Sequence, residues 1–447
     1  MTDKARNKSS FWTFVDGFEG DKSVWIIVLL LMMISIVAIF SSTTQLALQE
    51  GTTRMAIIME QLKVTLLGLV IIIICYNITK IGVFRVFSQL GYVVAMFFLL
   101  ILASHKQIGP FRPLFINSAW RIVQIGGFQL HVFEVTKIAM VMYLSWAVNA
   151  YKNDSFMIAD ILAKKHPFWG KPLTKKIAYI YIPIFSVCLL VMVGSLSSTL
   201  LIGALMFFTI LIGGISVKEL ILPIVVAFFV LLGCVGINKM SDKPANEKPF
   251  PHLESALNRF SKDRENTFEI LRTTPRGDRK FQAALDESMQ PVSAKLAIKQ
   301  GGIIGKGPGR STQRYVTPIM FEDYMFSFIV EEYGLLGGIF VIILYISLLA
   351  RGSVIVQKCD NHFAKTCVAG LVFLVTAQAM LHIMVNVDIG PHTGQTLPMI
   401  SHGNSSFVMF SFAFGIILSI SRMARRKEMA AAQAESEGTE HQDENNE

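Results

Sequence analysis

The stretch "MFEDYMFSFIVEEYG", Met320 to Gly334, sets four carboxylates, Glu322, Asp323, Glu331 and Glu332, around an apolar, aromatic centre. Two carboxylates roughly 5–10 Å apart can cleave a glycosidic bond. On one continuous helix Asp323 and Glu331 are separated by about 12 Å of rise, too far for such a dyad, and Glu322 points to another helix face. One carboxylate must then act with other groups, or the acids are structural. A second candidate is "GGIIGKGPGRSTQR", Gly301 to Arg314, where glycine turns carry Lys306, Arg310 and Arg314. Backbone N–H groups and cations in that arrangement can hold a phosphate or pyrophosphate. It is not a nucleotide-binding Walker loop, because Gly307 follows Lys306 where Ser or Thr is required; a glycine-rich loop is also often only a loop.

Two further stretches carry polar groups inside apolar surroundings. In "HVFEVTKIAM", Glu134 and Lys137 stand at helical i, i+3 spacing and can pair. Within a membrane span such a pair is either functional or a salt bridge that fixes packing. "NVDIGPHTGQTLPMISHGNSS", Asn386 to Ser406, is rich in hydroxyls and small residues between two apolar segments. Irregular backbone at membrane depth is tolerated where it is buried in protein or lines a cavity, so this segment reads as a cavity lining. His392 and His402 are isolated in it, and no metal site is assigned.

The elements that must position these residues follow from composition. Of 447 residues, 52% are hydrophobic and 16% charged, against about 25% charged in ordinary soluble domains. Mean hydropathy is +0.51. The chain therefore reads as an all-α polytopic membrane protein. Ten apolar runs are long enough to span: 24–41, 62–77, 86–104, 131–151, 177–195, 199–216, 219–237, 325–350, 364–386 and 405–421. Lys and Arg concentrate in 1–23, 152–176, 351–365 and 422–427, while 387–404 has none; the positive-inside rule then makes both termini cytoplasmic. The long 238–324 loop falls outside and is exempt from that rule by its length. Two of its stretches, "LESALNRFSKDRENTFEILR" and "FQAALDESMQPVSAKLAIKQ", have helical apolar spacing. The polar start lacks a cleavable signal pattern, so the first span acts as an anchor. Residues 428–447, acidic and aperiodic, read as a disordered tail. The net charge of +9 is loop charge, with no basic run suited to nucleic acid. The five cysteines lie mostly in apolar runs and show no CxxC pattern.

"GKGPGRSTQRYVTPIMFEDYMFSFIVEEYGLLGG" followed by "GQTLPMISHGNSS" resembles the SEDS family, the FtsW, RodA and SpoVE proteins of bacterial cell-wall synthesis, and is most like its FtsW branch. The resemblance covers residues 24–427 and implies a ten-helix membrane domain. It also implies a peptidoglycan glycosyltransferase that polymerises lipid II, an undecaprenyl-pyrophosphate disaccharide-peptide, at the outer face of the bacterial cytoplasmic membrane. A class B penicillin-binding protein (FtsI-like) and other division proteins would be its partners, with the division septum as its place. Asp323 matches the family's essential acid, and Glu331 and Glu332 its E-E-x-G pair. Pro391, Thr393, Gly394, Thr396, Leu397, Pro398, Ser401, Gly403, Ser405 and Ser406 match the C-terminal motif. Gln378 and Asn386 match the preceding helix; Arg121, Glu134 and Lys137 match its R-W-I…E-x-x-K segment. Departures are Ile122 for Trp, His131-Val132-Phe133 before Glu134, Ser195 in "GSLSST", and Asn404 for Gly.

For that chemistry the expected base is Asp323, which takes the proton of the acceptor 4-hydroxyl as it attacks C1 of the donor and inverts it. Lys306, Arg310, Arg314, Arg121 or a divalent metal (Mg or Mn) would supply charge to the leaving pyrophosphate. Thr393, Gln395, Thr396, Ser401 and Ser405 are expected substrate contacts. Glu134, Lys137, Glu331, Glu332, Gln378 and Asn386 are expected polar groups of the membrane interior. A RodA-like elongation polymerase, a lipid II flippase and a non-catalytic division scaffold are the alternatives.

Overall fold

The computed structural model describes residues 19–43, 46–47, 51–116, 119–240, 269–275, 278–316, 320–389 and 394–444. Each of the ten predicted segments is helical: α1 Lys22–Ser42, α2 Arg54–Tyr76, α3 Ile81–Ser104, α4 Val132–Lys152, α5 Pro172–Gly194, α6 Leu196–Ile212, α7 Val217–Met240, and, after an additional helix α8 Arg279–Gly301, α9 Met325–Lys358, α10 His362–Asn386 and α11 Asn404–Glu444. Among the described residues eight helices are long and apolar enough to cross a membrane. The other two of the ten are α6, which has only 17 residues, and α4. The reason for α4 is its position: 18 of its 21 residues are buried, Glu134 and Lys137 among them. A helix enclosed by protein needs no lipid-compatible surface.

Local chemistry sets the boundaries. Asp21 caps α1 by accepting from the N–H groups of Ser23 (3.0 Å) and Val24 (3.2 Å). Thr53 caps α2 at Ala56, so that helix starts eight residues before the apolar run at 62. Ser195 caps α6, which makes the α5–α6 connection a single residue. The ends predicted to share one side do meet: Arg351 pairs with Asp21 at 2.5 Å, and Arg422 and Arg426 with Glu19 at 2.8 and 2.5 Å.

Two features differ from the sequence reading. A three-stranded antiparallel sheet, β1 Phe111–Ile116, β2 Ala119–Ile125 and β3 Phe128–His131, fills the connection between α3 and α4. Its β2–β3 turn is Gly126-Gly127, with Gly126 at φ +61°, where glycine supplies the positive φ such a hairpin needs. Helix α11 continues through Glu444, where a disordered tail is expected from 428 onward; "EMAAAQAE" consists of strong helix formers. The helical spacing of "FQAALDESMQPVSAKLAIKQ" is realised as α8, whereas most of "LESALNRFSKDRENTFEILR" lies outside the described residues.

Candidate active site

Asp323 does not share a helix with Glu331. It closes a single-turn helix, Met320–Asp323, and Tyr324 (φ −124°, ψ 27°) interrupts the chain before α9 begins. That interruption frees backbone groups, and the C-terminal motif takes them up. Asn386, at the end of α10, donates to the Asp323 carbonyl (3.1 Å) and accepts from the Ser327 N–H (2.9 Å) and hydroxyl (2.8 Å). Ser401 donates to the Glu322 carbonyl (2.7 Å), and the His402 N–H to the Phe321 carbonyl (2.9 Å). His382 accepts from the Phe326 N–H through Nε2 (3.3 Å) and donates from Nδ1 to the Gln395 carbonyl (2.7 Å). The carboxylate is thus carried on backbone fixed from four positions. The motif itself is buried at Leu397, Pro398, Met399 and Ile400, and is held by Tyr345 donating to the Pro398 carbonyl (2.6 Å) and Ser35 to that of Ile400 (2.9 Å).

Asp323 lines a polar cavity of about 170 Å³ together with Glu322, Arg121, His131, Glu134 and Lys137, and with Gln395, Thr396 and His402 of the motif. The sheet positions Arg121. Leu114 pairs with Ile122 and Phe115 with Trp120, which leaves Arg121 as the extra residue of a β-bulge. A bulge re-aims a side chain, and here the cavity receives it. Gly394 lies against both Arg121 and Asp323: a Cβ at this position would lie 3.2 Å from Arg121 Nη1 and 3.2 Å from Asp323 Oδ2. The guanidinium and the carboxylate therefore both approach the same glycine closely.

The floor of the cavity is a closed polar network. Lys137 Nζ donates to Gln378 Oε1 (2.5 Å), Glu134 Oε1 (2.7 Å) and Gln395 Oε1 (3.2 Å), and Gln378 donates to the Thr396 carbonyl (3.1 Å). All three ammonium protons are used, as a buried charge requires. Thr396 in turn bonds Ser406 (3.0 Å). Ser405 accepts from the His131 N–H (3.1 Å) and so ties β3 to α11.

Burial pushes Asp323 up to about 7; the neighbouring Glu322 charge adds to this and Arg121 opposes it. His131 is lowered, chiefly by burial, against the pull of Glu134 and Glu322. A carboxylate balanced near neutrality is matched to proton transfer. A guanidinium beside it can stabilise negative charge that develops on an oxygen or a phosphate. Among the described residues no group of three or more His, Cys, Asp or Glu is placed to hold a metal ion; the cations that line the cavity are Arg121 and Lys137.

The remaining expected site residues fall elsewhere. Lys306, Arg310 and Arg314 do not line the cavity. Lys306 is spent on Glu331 (2.5 Å), Arg314 donates to the Ser41 carbonyl (3.2 Å) and lies against the Tyr315 ring, and Arg310 is exposed. Their loop wraps the two glutamates. Glu331 accepts from Lys306, Ser311 Oγ (2.5 Å) and the Thr312 N–H (2.9 Å); Glu332 accepts from Ser41 Oγ (2.6 Å) and the Gly309 N–H (3.0 Å). Ser401 and Ser405 bind backbone rather than the cavity, while Gln395 and Thr396 line it. Thr393, Pro391 and His392 lie outside the described residues. Sequence reasoning missed Glu322, His131 and Gln129 as cavity residues, while His402 lies in the segment expected to line a cavity; Gly126-Gly127 was the available signal for the hairpin that carries Gln129 and His131.

A polar cavity that holds a carboxylate and a guanidinium within a bundle of membrane-length helices suits an integral-membrane protein of chemistry or transport rather than anchoring alone. The FTSW_RODA_SPOVE family model, described as "Cell cycle protein", matches residues 21–426, and the chain belongs to that family. It is 25% identical over 435 residues to the probable peptidoglycan glycosyltransferase FtsW of Lactococcus lactis, covering 95% of this chain and 96% of that one. The peptidoglycan glycosyltransferase MrdB of Escherichia coli is 32% identical over 131 residues, 29% of this chain and 35% of that one. The fold is also that of a solved chain from a peptidoglycan synthase complex that coordinates polymerization and crosslinking, with a TM-score of 0.59 and 17% identity over 91% of this chain and 98% of that one.

Proposed function

We propose that this protein is a peptidoglycan glycosyltransferase that polymerises lipid II at the outer face of the bacterial cytoplasmic membrane. The observation that carries the proposal is the placement of Asp323 and Arg121 together against Gly394 in one polar cavity. Asp323 accepts the proton of the acceptor 4-hydroxyl; the freed oxygen bonds to C1 of the donor sugar; the C1–O bond to the lipid pyrophosphate breaks, and its electron pair leaves on the pyrophosphate. Arg121 faces that leaving charge. Pyrophosphate needs no protonation to leave, so one carboxylate suffices where hydrolases use two, and direct displacement inverts C1.

The near full-length likeness to an FtsW protein, against a match of 29% of the chain to MrdB, supports a division role at the septum, beside a class B transpeptidase. The likeness to a synthase-complex chain supports such a partner. A polar cavity within the bundle would also suit a lipid II flippase. Glycan synthesis by purified protein in detergent, where there is no membrane to cross, separates the two: polymer supports the glycosyltransferase, and its absence with intact lipid II transport in vesicles supports the flippase. Depletion giving filaments rather than round cells tests division against elongation.

A further inference from the structure

We propose that the Gly301–Gly305 turn at the end of α8 is not part of an aqueous loop but is re-entrant, placing Ile303 and Ile304 among the lipid chains of the bilayer half nearer Asp323. The inference concerns the membrane contact of this segment and is independent of the reaction assigned to the cavity.

The first observation is a backbone exchange. Helix α9 is broken at Gly334 (φ 70°, ψ −175°). In an unbroken helix the N–H groups of Leu335 and Leu336 would donate to the carbonyls of Glu331 and Glu332. Instead, Leu335 donates to the Gly302 carbonyl (2.9 Å) and Leu336 to that of Ile303 (3.3 Å), while Lys306 and Gly307 N–H donate to the Glu331 and Glu332 carbonyls (both 2.9 Å). All four groups released by the break are recovered by the turn. Membrane interiors demand this accounting of irregular backbone, since no water is present to accept the unpaired groups. The approach is close enough to need glycine on both sides: a Cβ at Gly334 would lie 2.1 Å from the Ile303 carbonyl oxygen, and one at Gly305, 2.3 Å from that of Glu332.

The second observation is depth. The exposed apolar face of α9 runs from Leu335 through Leu336, Ile339, Ile343 and Ile346 to Leu349. Arg351, paired with Asp21, follows it and marks the far edge. The hydrocarbon core is about 30 Å thick, and on the unbroken part of α9 Leu335 and Leu336 stand about 24 and 22 Å of helical rise from Arg351. Leu335 and Leu336 therefore lie about 6–8 Å inside the near edge, and the turn bonded to them lies at the same depth. Ile303 is 68% exposed and Ile304 79%, beside Leu335 at 45% and Leu336 at 61%. Two nearly bare isoleucines in water would be unfavourable, and here they extend an existing lipid-facing surface. The polar arm of the same loop turns the other way: Lys306, Ser311 and Thr312 reach the buried Glu331.

The test uses the unmodified protein in phosphatidylglycerol/phosphatidylcholine vesicles and a membrane-dissolved diazirine that inserts into side chains on illumination. Trypsin releases Gln300–Lys306 and Gly307–Arg310 as separate peptides. The proposal expects at least tenfold more label on Gln300–Lys306 than on Gly307–Arg310, at a level comparable to peptides from the α9 face. In parallel, a bimane label on Ile304→Cys is quenched by spin-labelled lipid chains and shielded from aqueous iodide, and one on Arg310→Cys shows the reverse. Unlabelled Gln300–Lys306, or equal iodide quenching at both positions, overturns the proposal.

Discussion

The ionisation of Asp323 gives a prediction whose sign is fixed by its neighbours. Burial first, and Glu322 second, raise it to about 7, while Arg121 pulls it down. A base must be deprotonated to act, so the rate of polymerisation rises with pH through this range. A single group with a pKa of about 7 is about one-tenth ionised at pH 6 and about nine-tenths at pH 8, a gain of about tenfold. Glu322→Gln removes a charge that raises Asp323, so the rising limb moves to lower pH and the variant outperforms the parent protein at pH 6. Arg121→Met removes a charge that lowers Asp323, so the limb moves to higher pH, on top of a loss at every pH from the missing cation. Initial rates of polymerisation of labelled lipid II by purified protein in detergent, from pH 5.5 to 9, read all three curves. A flat profile between pH 6 and 8, or a limb that Glu322→Gln leaves in place or moves upward, would refute the placement of Asp323 as the titrating base.

Two further outcomes follow from the same geometry. Gly394→Ala sets a methyl group 3.2 Å from both Arg121 and Asp323; one or both must shift by a few tenths of an ångström, and polymerisation falls by about tenfold or more with the thermal unfolding midpoint unchanged. Lys137→Met leaves Glu134 buried without its cation and costs about 3–5 kcal/mol of stability, read as a lowered unfolding midpoint in detergent, whereas the double change Lys137→Met, Glu134→Gln recovers much of it.

The parts of the molecule legible in the sequence are those that depend on local pattern. The apolar runs gave the helices, because lipid and core alike require about 20 apolar residues in succession. The Glu134–Lys137 pair followed from i, i+3 spacing and forms at 2.7 Å. The order of polar segments brought Asp323, Gln395 and Thr396 together through the resemblance. What failed depended on contacts distant in sequence. Lys306 and Arg314 look like anion-binding cations until the fold shows Glu331 and Ser41 opposite them. The distance argument between Asp323 and Glu331 assumed one helix, whereas the chain breaks at Tyr324 and again at Gly334. Arg121 reaches the cavity through a one-residue bulge that no periodicity announces, and the sheet is short enough to be mistaken for a loop. Helix α11 shows the opposite error, where acidic composition was weighed above the helix propensity of an alanine-rich stretch.

In the proposed reaction Asp323 removes the proton of the acceptor hydroxyl. Asp323→Asn keeps the size of the side chain and leaves its backbone bond to Asn386 in place, but cannot accept the proton. Purified variant and parent protein are given lipid II in detergent at pH 7.5, with folding confirmed by matching thermal unfolding midpoints, and products are resolved by chain length. No glycan above background is expected from the variant, and a ladder of strands from the parent. Strands of near-normal length and yield from Asp323→Asn would contradict it.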